Sequence, residues 1–385
     1  MTTSEPRDTA PSAPELPSSG VRLRDAVTTL PAYVPGARLP AGLPAVKLSS
    51  NENPYPPLPS VVDAIVAGVG ATNRYPDLAA VQLVEALAER LTAKAPRAVT
   101  PAEIVVGTGS VGVLEHLLDA VCDPGDEVLV PWRSFEAYPI AVAVAGARFV
   151  PVPLQEGHDA DGRSLAGRLD LAALAAAIGE RTRVVVVCTP NNPTGPAVHA
   201  DELESFLAAV PPHVMVILDE AYVEFVRDPD APDGLAVYAA HPNVVLLRTF
   251  SKAYGLAALR VGYAVARPDL AAGVRAVATP FGVGDLAQRA ALASLAAEDE
   301  LLERVETLVA ERTRVTDALR EQGWDLPDAQ GNFVWFPLGA RTAELGARAR
   351  DEGVLVRPFA GEGVRVSIGS VAEDDAFLRV AAGWR

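Results

Sequence analysis

Residues 184–195 read Val184-Val-Val-Val-Cys-Thr-Pro-Asn-Asn-Pro-Thr-Gly195, an apolar run that leads directly into a polar segment. Because the run is apolar at successive positions, it predicts a strand that is buried on both faces, as in a parallel sheet covered on both sides. The Asn, Pro and Gly residues that follow are typical of a turn. Asn191 and Asn192 could also offer their amides to a ligand, because open α/β sheets bind ligands beyond the carboxyl ends of their strands.

Similar apolar runs recur along the chain, and helical segments separate many of them. The other runs in this part of the chain cover residues 104–106, 128–130, 214–218, 244–247 and 261–266. Helical spacing is found at 58–69, 77–94, 111–121, 171–178 and 202–210. Strands that alternate with helices imply an α/β fold with a mainly parallel sheet and right-handed crossovers.

The pattern changes after residue 284. Residues 285–322 form a long helical stretch with an expected break near Glu298, and short strand-like runs follow at 333–336, 354–356 and 365–368. We therefore predict a large α/β domain at 61–284 and a smaller α+β domain at 285–385. Residues 21–60 are expected to form an N-terminal arm and part of the small domain, and residues 1–20, rich in Pro, Ser and Glu, a disordered tail.

Composition excludes several classes of function. The 385 residues carry 33 Lys and Arg against 49 Asp and Glu, a net charge of −16, which argues against a nucleic-acid binder. Cys122 and Cys188 lie beside apolar runs, and the five histidines are scattered, so we predict neither a disulfide nor a metal site. No apolar run approaches the ~18 residues that span a bilayer. With no signal-peptide pattern, a cytoplasmic enzyme that does not bind membranes is expected.

Two further segments place chemically useful groups after strands. Val106-Gly-Thr-Gly-Ser-Val-Gly112 combines glycines with the start of a helix, which can bind an anion, although such a segment is often only a turn. In Leu218-Asp-Glu-Ala-Tyr222, the carboxylate of Asp219 leaves an apolar run and needs a hydrogen-bonding or cationic partner. Glu220 is an equal candidate on sequence grounds.

Two more segments carry cations. Lys252, in Arg248-Thr-Phe-Ser-Lys-Ala-Tyr254, is either a surface lysine, the common case, or a buried amine with a lowered pKa that could form a Schiff base. Arg365, in Gly363-Val-Arg-Val-Ser-Ile368, is either a solvated edge residue or a clamp for a carboxylate. Together the five segments supply what pyridoxal phosphate needs: a lysine for its aldehyde, an acid for its ring nitrogen, and an anion site for its phosphate.

From about Val21 to its C-terminus, the chain resembles the fold-type I pyridoxal-phosphate aminotransferases of the histidinol-phosphate aminotransferase-like subgroup. Five segments, the last with Arg260, carry the resemblance: Ser50-Asn-Glu-Asn-Pro54, Asn73-Arg-Tyr-Pro76, Asn191-Asn-Pro-Thr-Gly195, Asp219-Glu-Ala-Tyr222 and Thr249-Phe-Ser-Lys-Ala-Tyr-Gly-Leu256. The resemblance implies a large domain of three layers, α/β/α, and pyridoxal 5′-phosphate as the cofactor.

The resemblance also implies a role for individual residues. Lys252 would form the Schiff base and then act as the base for proton transfer, and Asp219 would pair with the protonated pyridine nitrogen. Tyr222 and Asn192 would donate to the ring oxygen. The residues that would hold the phosphate are Gly109, Ser110, Thr249, Ser251 and Arg260. Tyr75 would reach the phosphate of a neighbouring subunit, so a homodimer is implied.

On the substrate side, Arg365 matches the arginine that binds a substrate α-carboxylate, or a phosphate in histidinol-phosphate enzymes. Arg357, Tyr33 and Asn332 are further substrate-side candidates. The chain departs from the subgroup at Pro131-Trp-Arg-Ser-Phe-Glu-Ala-Tyr-Pro139, where Phe135 takes the place of a tyrosine that stacks on the cofactor. This segment is more similar to aromatic amino acid (phenylalanine) aminotransferases. Trp132 and Phe135 could instead be core residues; for Phe135 we favour the stacking role.

We therefore expect transamination between an aromatic L-amino acid and 2-oxoglutarate. The alternative within the same mechanism is histidinol-phosphate transamination, for which Arg357 and Arg365 could supply the cations. A lyase of the threonine-phosphate decarboxylase type shares the scaffold and the lysine, but no feature of the sequence favours it. A regulator that senses the cofactor would need a DNA-binding module, for which residues 1–20 are too short and not basic.

Overall fold

The structure, a computed structural model, describes residues 20–28, 30, 46–158 and 165–384. Tyr33 and the predicted tail before Gly20 lie outside these residues. The helices of the described part are α1 (Asp25–Thr28), α2 (Pro59–Val69), α3 (Val81–Thr92), α4 (Gly109–Val121), α5 (Ala137–Ala145), α6 (Leu171–Ala176), α7 (Ala200–Ala209), α8 (Gly234–Ala240), α9 (Pro268–Val277), α10 (Asp285–Ala296), α11 (Glu298–Glu321), α12 (Thr342–Asp351) and α13 (Val371–Ala382). The strands are β1 (Val46–Lys47), β2 (Ile104–Gly107), β3 (Glu127–Trp132), β4 (Arg148–Pro153), β5 (Thr182–Cys188), β6 (Met215–Asp219), β7 (Val244–Thr249), β8 (Gly262–Val265), β9 (Phe333–Phe336), β10 (Val354–Leu355), β11 (Arg357–Phe359) and β12 (Gly363–Ser367).

Seven strands form the central sheet in the order β2-β8-β7-β6-β5-β3-β4. The neighbours from β7 to β4 pair in parallel, and β8 runs antiparallel to both β2 and β7. The predicted α/β class with a mainly parallel sheet is confirmed. As a consequence, β2, β3, β5, β6 and β7 all end at one edge, where their polar segments meet.

The apolar run at 184–187 shows why this sheet is buried on both faces. Val185 and Val187 pack into the hydrophobic core on one side, and Val184 and Val186 pack into the core on the other. Side chains of successive strand residues point to opposite faces, so an unbroken apolar run supplies both cores. Burial of each such side chain stabilises the fold by roughly 1.5–3 kcal/mol.

Strand β4 is not among the strands that the apolar runs predict. It contains Pro151 and Pro153, which cannot donate to a neighbouring strand, and it forms one edge of the sheet. Proline in a sheet is tolerated mainly in edge strands. The structure therefore extends the predicted sheet by one strand that its prolines concealed.

The C-terminal part builds two smaller sheets. Strands β11, β12 and β9 pair antiparallel in that order. Strand β1 pairs in parallel with β10, which brings residues 46–47 next to residues 354–355. The break expected near Glu298 falls at Ala297, between α10 and α11.

Packing crosses the boundary that the sequence placed at 284, because α10 lies against α2 and α3 of the predicted large domain. The domain boundaries at 60 and 284 stay a prediction. Among the described residues, no helix is both long enough and apolar enough to cross a bilayer.

Candidate active site

A cavity of about 200 Å³ lies where the carboxyl edge of the seven-stranded sheet faces the three-stranded sheet. Most of the residues singled out from the sequence line this cavity. They are Ser110, Phe135, Asn192, Asp219, Tyr222, Thr249, Ser251, Lys252, Arg260, Arg357 and Arg365. Residues that are far apart in the chain therefore meet at the edge where open α/β sheets bind ligands.

Asp219, the last residue of β6, is 4% exposed and presents one oxygen without a partner. Its Oδ2 accepts a hydrogen bond from the Tyr138 hydroxyl at 2.6 Å, and its buried Oδ1 has no hydrogen-bond partner among the described residues. Burial raises the pKa of Asp219 to about 6, and the bond from Tyr138 opposes that rise. A buried carboxylate oxygen without a partner is costly, so the site suits a ligand that brings an N–H donor or a positive charge.

The neighbouring carboxylate of Glu220 has a different environment. Its Oε2 lies 2.8 Å from both Nε and Nη2 of Arg248, and Glu220 does not line the cavity. The choice between Asp219 and Glu220, which the sequence left open, is thus decided by side-chain direction: only Asp219 faces the cavity.

Lys252 reaches into the cavity from the segment that follows β7. Its Nζ lies 3.3 Å from the carbonyl oxygens of Ser50 and Asn51, to which it donates. Burial, and then the nearby guanidinium groups of Arg365 and Arg260, lower the pKa of Lys252 to about 7. A large fraction of this amine is therefore unprotonated at neutral pH and able to attack a carbonyl carbon.

Tyr222 and Asn51 connect the central-sheet side of the cavity to the three-stranded sheet, which is called the small sheet below. Asn51 Nδ2 donates to the Tyr222 hydroxyl at 3.0 Å, and the Ser367 hydroxyl donates to Asn51 Oδ1 at 2.9 Å. Burial raises the pKa of Tyr222, so its hydroxyl stays protonated and can donate to a ligand. Asn51 adopts a left-handed backbone with φ of 52°. The sequence marked the segment 50–54 without assigning Asn51 any role.

An anion site is formed by the start of α4 and Arg260. Arg260 Nη1 donates to the Ser251 hydroxyl at 3.3 Å, and the Ser251 backbone N–H donates to Thr249 Oγ1 at 3.1 Å. Gly109 has φ of +76°, and a Cβ there would lie 2.6 Å from Arg260 Nη2. The guanidinium therefore approaches the helix start closely because position 109 has no side chain. A cation facing the first N–H groups of a helix fits a phosphate.

Asn191 and Asn192 are adjacent in the chain, but their side chains form hydrogen bonds in different parts of the structure. The Asn191 amide holds its own loop, since Oδ1 accepts from the Ser134 hydroxyl at 2.7 Å and Nδ2 donates to Thr194 Oγ1 at 2.7 Å. Asn192 faces the cavity, and its Oδ1 accepts from Arg365 Nη1 at 2.6 Å. That bond leaves the amide nitrogen as the group of Asn192 that can donate to a ligand.

The small sheet contributes two arginines from directly opposed positions, Arg357 on β11 and Arg365 on β12. Arg365 Nη2 donates to the Ser49 carbonyl oxygen at 2.7 Å, and Arg357 Nη2 donates to Glu136 Oε2 at 2.8 Å. Like charges in opposed positions repel. Here each guanidinium contacts its own acceptors, which offsets the repulsion.

Of the predicted residues that the structure describes, three do not line the cavity. Tyr75 is 83% exposed, and its ring centroid lies 4.7 Å from that of Phe281. Asn332 is buried behind Asn51, to whose carbonyl oxygen it donates at 3.3 Å. Gly109 lies beside the cavity, next to Arg260.

The aromatic residues of the 131–139 segment also differ in whether they line the cavity. Phe135 lines the cavity and packs edge-on against Tyr138 at 5.6 Å. Trp132 does not line the cavity: its half-buried ring packs edge-on against Phe149 at 5.2 Å, and the Arg133 guanidinium lies 4.3 Å from the ring centroid. Tyr138, which donates a hydrogen bond to Asp219, lies in the quoted segment, but the sequence carries no signal for that contact.

Cys188 also lines the cavity, where burial and the charge of Asp219 raise the pKa of its thiol to about 12.

Comparison with known proteins gives consistent results. The family model for class I and II aminotransferases matches residues 44–382. The chain is 54% identical over 367 residues to a protein of Streptomyces avermitilis named aromatic amino acid aminotransferase, with 94% of this chain and 98% of that protein covered. A protein of the same name from Thermobifida fusca is 52% identical, with 93% and 96% covered. A crystal structure of histidinol-phosphate aminotransferase from Sinorhizobium meliloti in complex with pyridoxal-5′-phosphate superposes with a TM-score of 0.81 at 29% identity, with 94% and 97% covered.

Proposed function

The chain belongs to the class I and II aminotransferases, and from that premise we propose that it transfers an amino group between an aromatic L-amino acid and 2-oxoglutarate. The cofactor of this family is pyridoxal 5′-phosphate. The relatives of about half-identical sequence over nearly the full length carry the name aromatic amino acid aminotransferase, which supports the aromatic substrate. The co-substrate 2-oxoglutarate is inferred from the resemblance alone.

One observation carries the proposal: a single cavity contains the amine of Lys252 and the unpartnered Oδ1 of Asp219. When bound, pyridoxal 5′-phosphate supplies an aldehyde that condenses with amines and a protonated ring that stabilises negative charge at the substrate α-carbon. Lys252 Nζ is suited to bind the aldehyde, because its pKa of about 7 leaves much of the amine uncharged. Asp219 Oδ1 is suited to accept a hydrogen bond from the ring nitrogen and keep the proton there.

We assign the remaining residues around these two. Tyr222 and the Asn192 amide nitrogen donate to the ring oxygen, and Phe135 packs on the ring face. The phosphate is held by Arg260, Ser110 and Ser251, with Gly109 and Thr249 shaping the site. Arg365 binds the substrate α-carboxylate through the bidentate geometry that its planar guanidinium allows. Lys252 Nζ then moves a proton at the substrate α-carbon.

The second candidate is histidinol-phosphate transamination. The opposed pair Arg357 and Arg365 favours it, because two guanidinium groups in one cavity could bind a phosphate. The ratio of kcat/KM for phenylalanine to kcat/KM for histidinol phosphate, each with 2-oxoglutarate, tests the choice. We expect phenylalanine to be preferred, and a clear preference for histidinol phosphate would overturn the aromatic assignment.

The decarboxylase alternative has no support among these relatives, and release of carbon dioxide from threonine phosphate would revive it.

A homodimer and a cytoplasmic location complete the proposal. Apolar side chains are exposed around Tyr75, including Leu78 and Phe281, and we infer that a second subunit covers them and that Tyr75 reaches its phosphate site. Sedimentation equilibrium tests the dimer: a monomer at micromolar concentration would contradict it. The cytoplasmic location stays a prediction that cell fractionation can test.

The assignment of Lys252 has a sharp test because the chain contains three lysines, Lys47, Lys94 and Lys252. Borohydride treatment of the protein with its cofactor should fix the cofactor on Lys252 alone, as read by peptide mass spectrometry. Lys252→Arg keeps a long side chain that ends in nitrogen but cannot form the Schiff base, so it should abolish the label, the visible absorption band and the activity. Lys47→Arg and Lys94→Arg are the matched controls and should keep all three. A label on another lysine, or activity in Lys252→Arg, would refute the assignment.

A further inference from the structure

Two acidic side chains line the cavity among the described residues, and only one of them has a place in the proposed function. Asp219 is the last residue of the central strand β6, and in the proposed function it binds the ring nitrogen of the cofactor. Glu136 lies on the small-sheet side, in the segment between β3 and α5, where its Oε2 accepts from Arg357 Nη2 at 2.8 Å. The Arg357 side chain is 11% exposed and the Glu136 side chain 31% exposed, so the ion pair lies at the boundary between cavity and solvent.

The charges of the cavity show what this ion pair does. Its cationic residues are Lys252, Arg260, Arg357 and Arg365. The proposed function uses Lys252 for the aldehyde, Arg260 for the cofactor phosphate and Arg365 for the substrate α-carboxylate. Arg357 is the one cation of the described lining that this scheme leaves unassigned, and Glu136 offsets its charge.

The strand register places Arg357 beside the substrate. Arg357 and Arg365 are directly opposed in an antiparallel pair, so their Cα atoms are about 5 Å apart and their side chains leave the same face. A substrate held by its α-carboxylate at Arg365 therefore has its side chain within reach of Arg357 and Glu136. Phe135, next to Glu136 in the chain, also lines the cavity.

We propose that Glu136 is a specificity-determining residue: by pairing with Arg357 it favours substrates whose side chain is uncharged and disfavours those that end in a carboxylate or phosphate. The inference rests on the proposed function and deepens it. An anionic side chain can bind Arg357 only by displacing Glu136 or by lying next to its negative charge. An aromatic ring meets neither cost. The same carboxylate weakens the binding of 2-oxoglutarate without preventing it, because the Glu136 side chain is 31% exposed and solvent screens its charge.

A neighbouring ion pair provides the matched control. Arg133 Nε donates to Glu362 Oε2 at 2.7 Å, and this pair joins the same two segments, one after β3 and one in the β11–β12 hairpin. The Glu362 side chain is 36% exposed, close to the value for Glu136, but neither Arg133 nor Glu362 lines the cavity. Glu362→Gln therefore removes the same charge and a similar bridge between the segments without changing the cavity.

The test compares two unreactive ligands that share one carboxylate and differ at the other end, glutarate and 3-phenylpropionate. Their dissociation constants are measured by calorimetric titration of the cofactor-loaded enzyme, so the readout does not depend on turnover. In Glu136→Gln we expect glutarate to bind about tenfold more tightly, since a negative charge within a few ångströms of the anion is removed. Binding of 3-phenylpropionate should change less than about threefold, and Glu362→Gln should leave the ratio of the two constants unchanged.

Arg357→Gln separates the mechanism from a general change of charge. In that background, Glu136→Gln should no longer alter the ratio of the two dissociation constants, because the cation through which it acts is gone. The inference is overturned by an unchanged ratio in Glu136→Gln, by an equal change in Glu362→Gln, or by an effect that persists without Arg357. Failure of the wild-type enzyme to transaminate phenylalanine would instead count against the proposed function, so the two failures are distinct.

Discussion

The cavity has two walls that are built in different ways. On the wall formed by the central sheet, each reactive group follows the strand that positions it: Asp219 ends β6, Thr249 ends β7, and Lys252 comes three residues later. On the wall formed by the small sheet, Arg365 lies in the middle of β12, and its partners Asn192 and Ser49 are 173 and 316 positions away in the chain. The positions of the reactive groups on the central-sheet wall are therefore set by the strands that directly precede them. The positions of the groups on the small-sheet wall depend on contacts between residues far apart in the chain.

This difference leads to a functional division. The central-sheet wall holds the groups that act on the cofactor, so changes there should lower kcat. The small-sheet wall holds the groups that contact the substrate, so changes there should mainly affect binding and selectivity. The following substitutions test that division, beginning with the largest expected effect.

Asp219→Asn should lower kcat by about 10²–10³-fold, because an amide cannot keep the proton on the ring nitrogen while charge develops in the reaction. The stability of the protein should change little, since the Tyr138 hydroxyl can donate to the amide oxygen. Steady-state kinetics and thermal unfolding of the same preparation measure both effects. A kcat within about threefold of wild type would remove Asp219 from the proposed mechanism.

Glu220→Gln is the control, since it removes the neighbouring carboxylate. It removes the charge that pairs with Arg248, whose side chain is 12% exposed, and loss of one partner of a fully buried pair costs about 3–5 kcal/mol in the free energy of unfolding, which is an upper bound here. We therefore expect a lower melting temperature with kcat close to wild type. The opposite result, a stable protein with low kcat, would mean that the two carboxylates were assigned in the wrong order.

Arg365→Lys tests the second wall. A lysine keeps the charge but loses the bidentate geometry, so kcat/KM for phenylalanine should fall about ten- to a hundredfold, with most of the change in KM. The spectrum of the bound cofactor should stay close to that of wild type, because a lysine keeps the positive charge that acts on Lys252. A changed spectrum with an unchanged KM would place Arg365 with the first wall instead.

Tyr138→Phe should have a smaller effect that depends on pH. The Tyr138 hydroxyl donates to the ionised form of Asp219 and so opposes the rise in the pKa of Asp219, which burial brings to about 6. Without this bond the pKa rises further, and the carboxylate is protonated at a higher pH as the solution is acidified. Binding of the cofactor to apoprotein should weaken about two- to tenfold near pH 6, with little change at pH 8. A uniform weakening across this pH range would contradict the explanation.

Much of the central-sheet wall could be predicted from the sequence. When parallel strands each end in a polar segment, the polar side chains that follow the strands lie at a common edge of the sheet. Residue chemistry alone did not separate neighbours, because Asp219 and Glu220, like Asn191 and Asn192, carry the same functional groups. The resemblance selected Asp219 and Asn192, and the structure shows that these two side chains line the cavity. Tyr138 was passed over because its contact with Asp219 joins positions 81 residues apart.

The second wall was harder to predict. Arg365 was singled out from its own segment, and the resemblance added Arg357 as a substrate-side candidate. Their opposed positions on β11 and β12 follow from the strand register, and the pairing of Arg357 with Glu136 joins segments 221 residues apart. Asn332 does not line the cavity, and its Nδ2 donates to the carbonyl oxygen of Asn51, so its place on the substrate side stays a prediction.

By itself the sequence determined the α/β class, the strands that carry chemistry, the family and the cofactor. It could do so because apolar runs, turn residues and motifs are local properties of the chain. The tertiary structure alone decided which oxygen of Asp219 is left without a partner, that Tyr138 holds the other oxygen, and that Glu136 offsets the charge of Arg357. These depend on distances between atoms far apart in sequence, and electrostatic and hydrogen-bond energies depend on such distances.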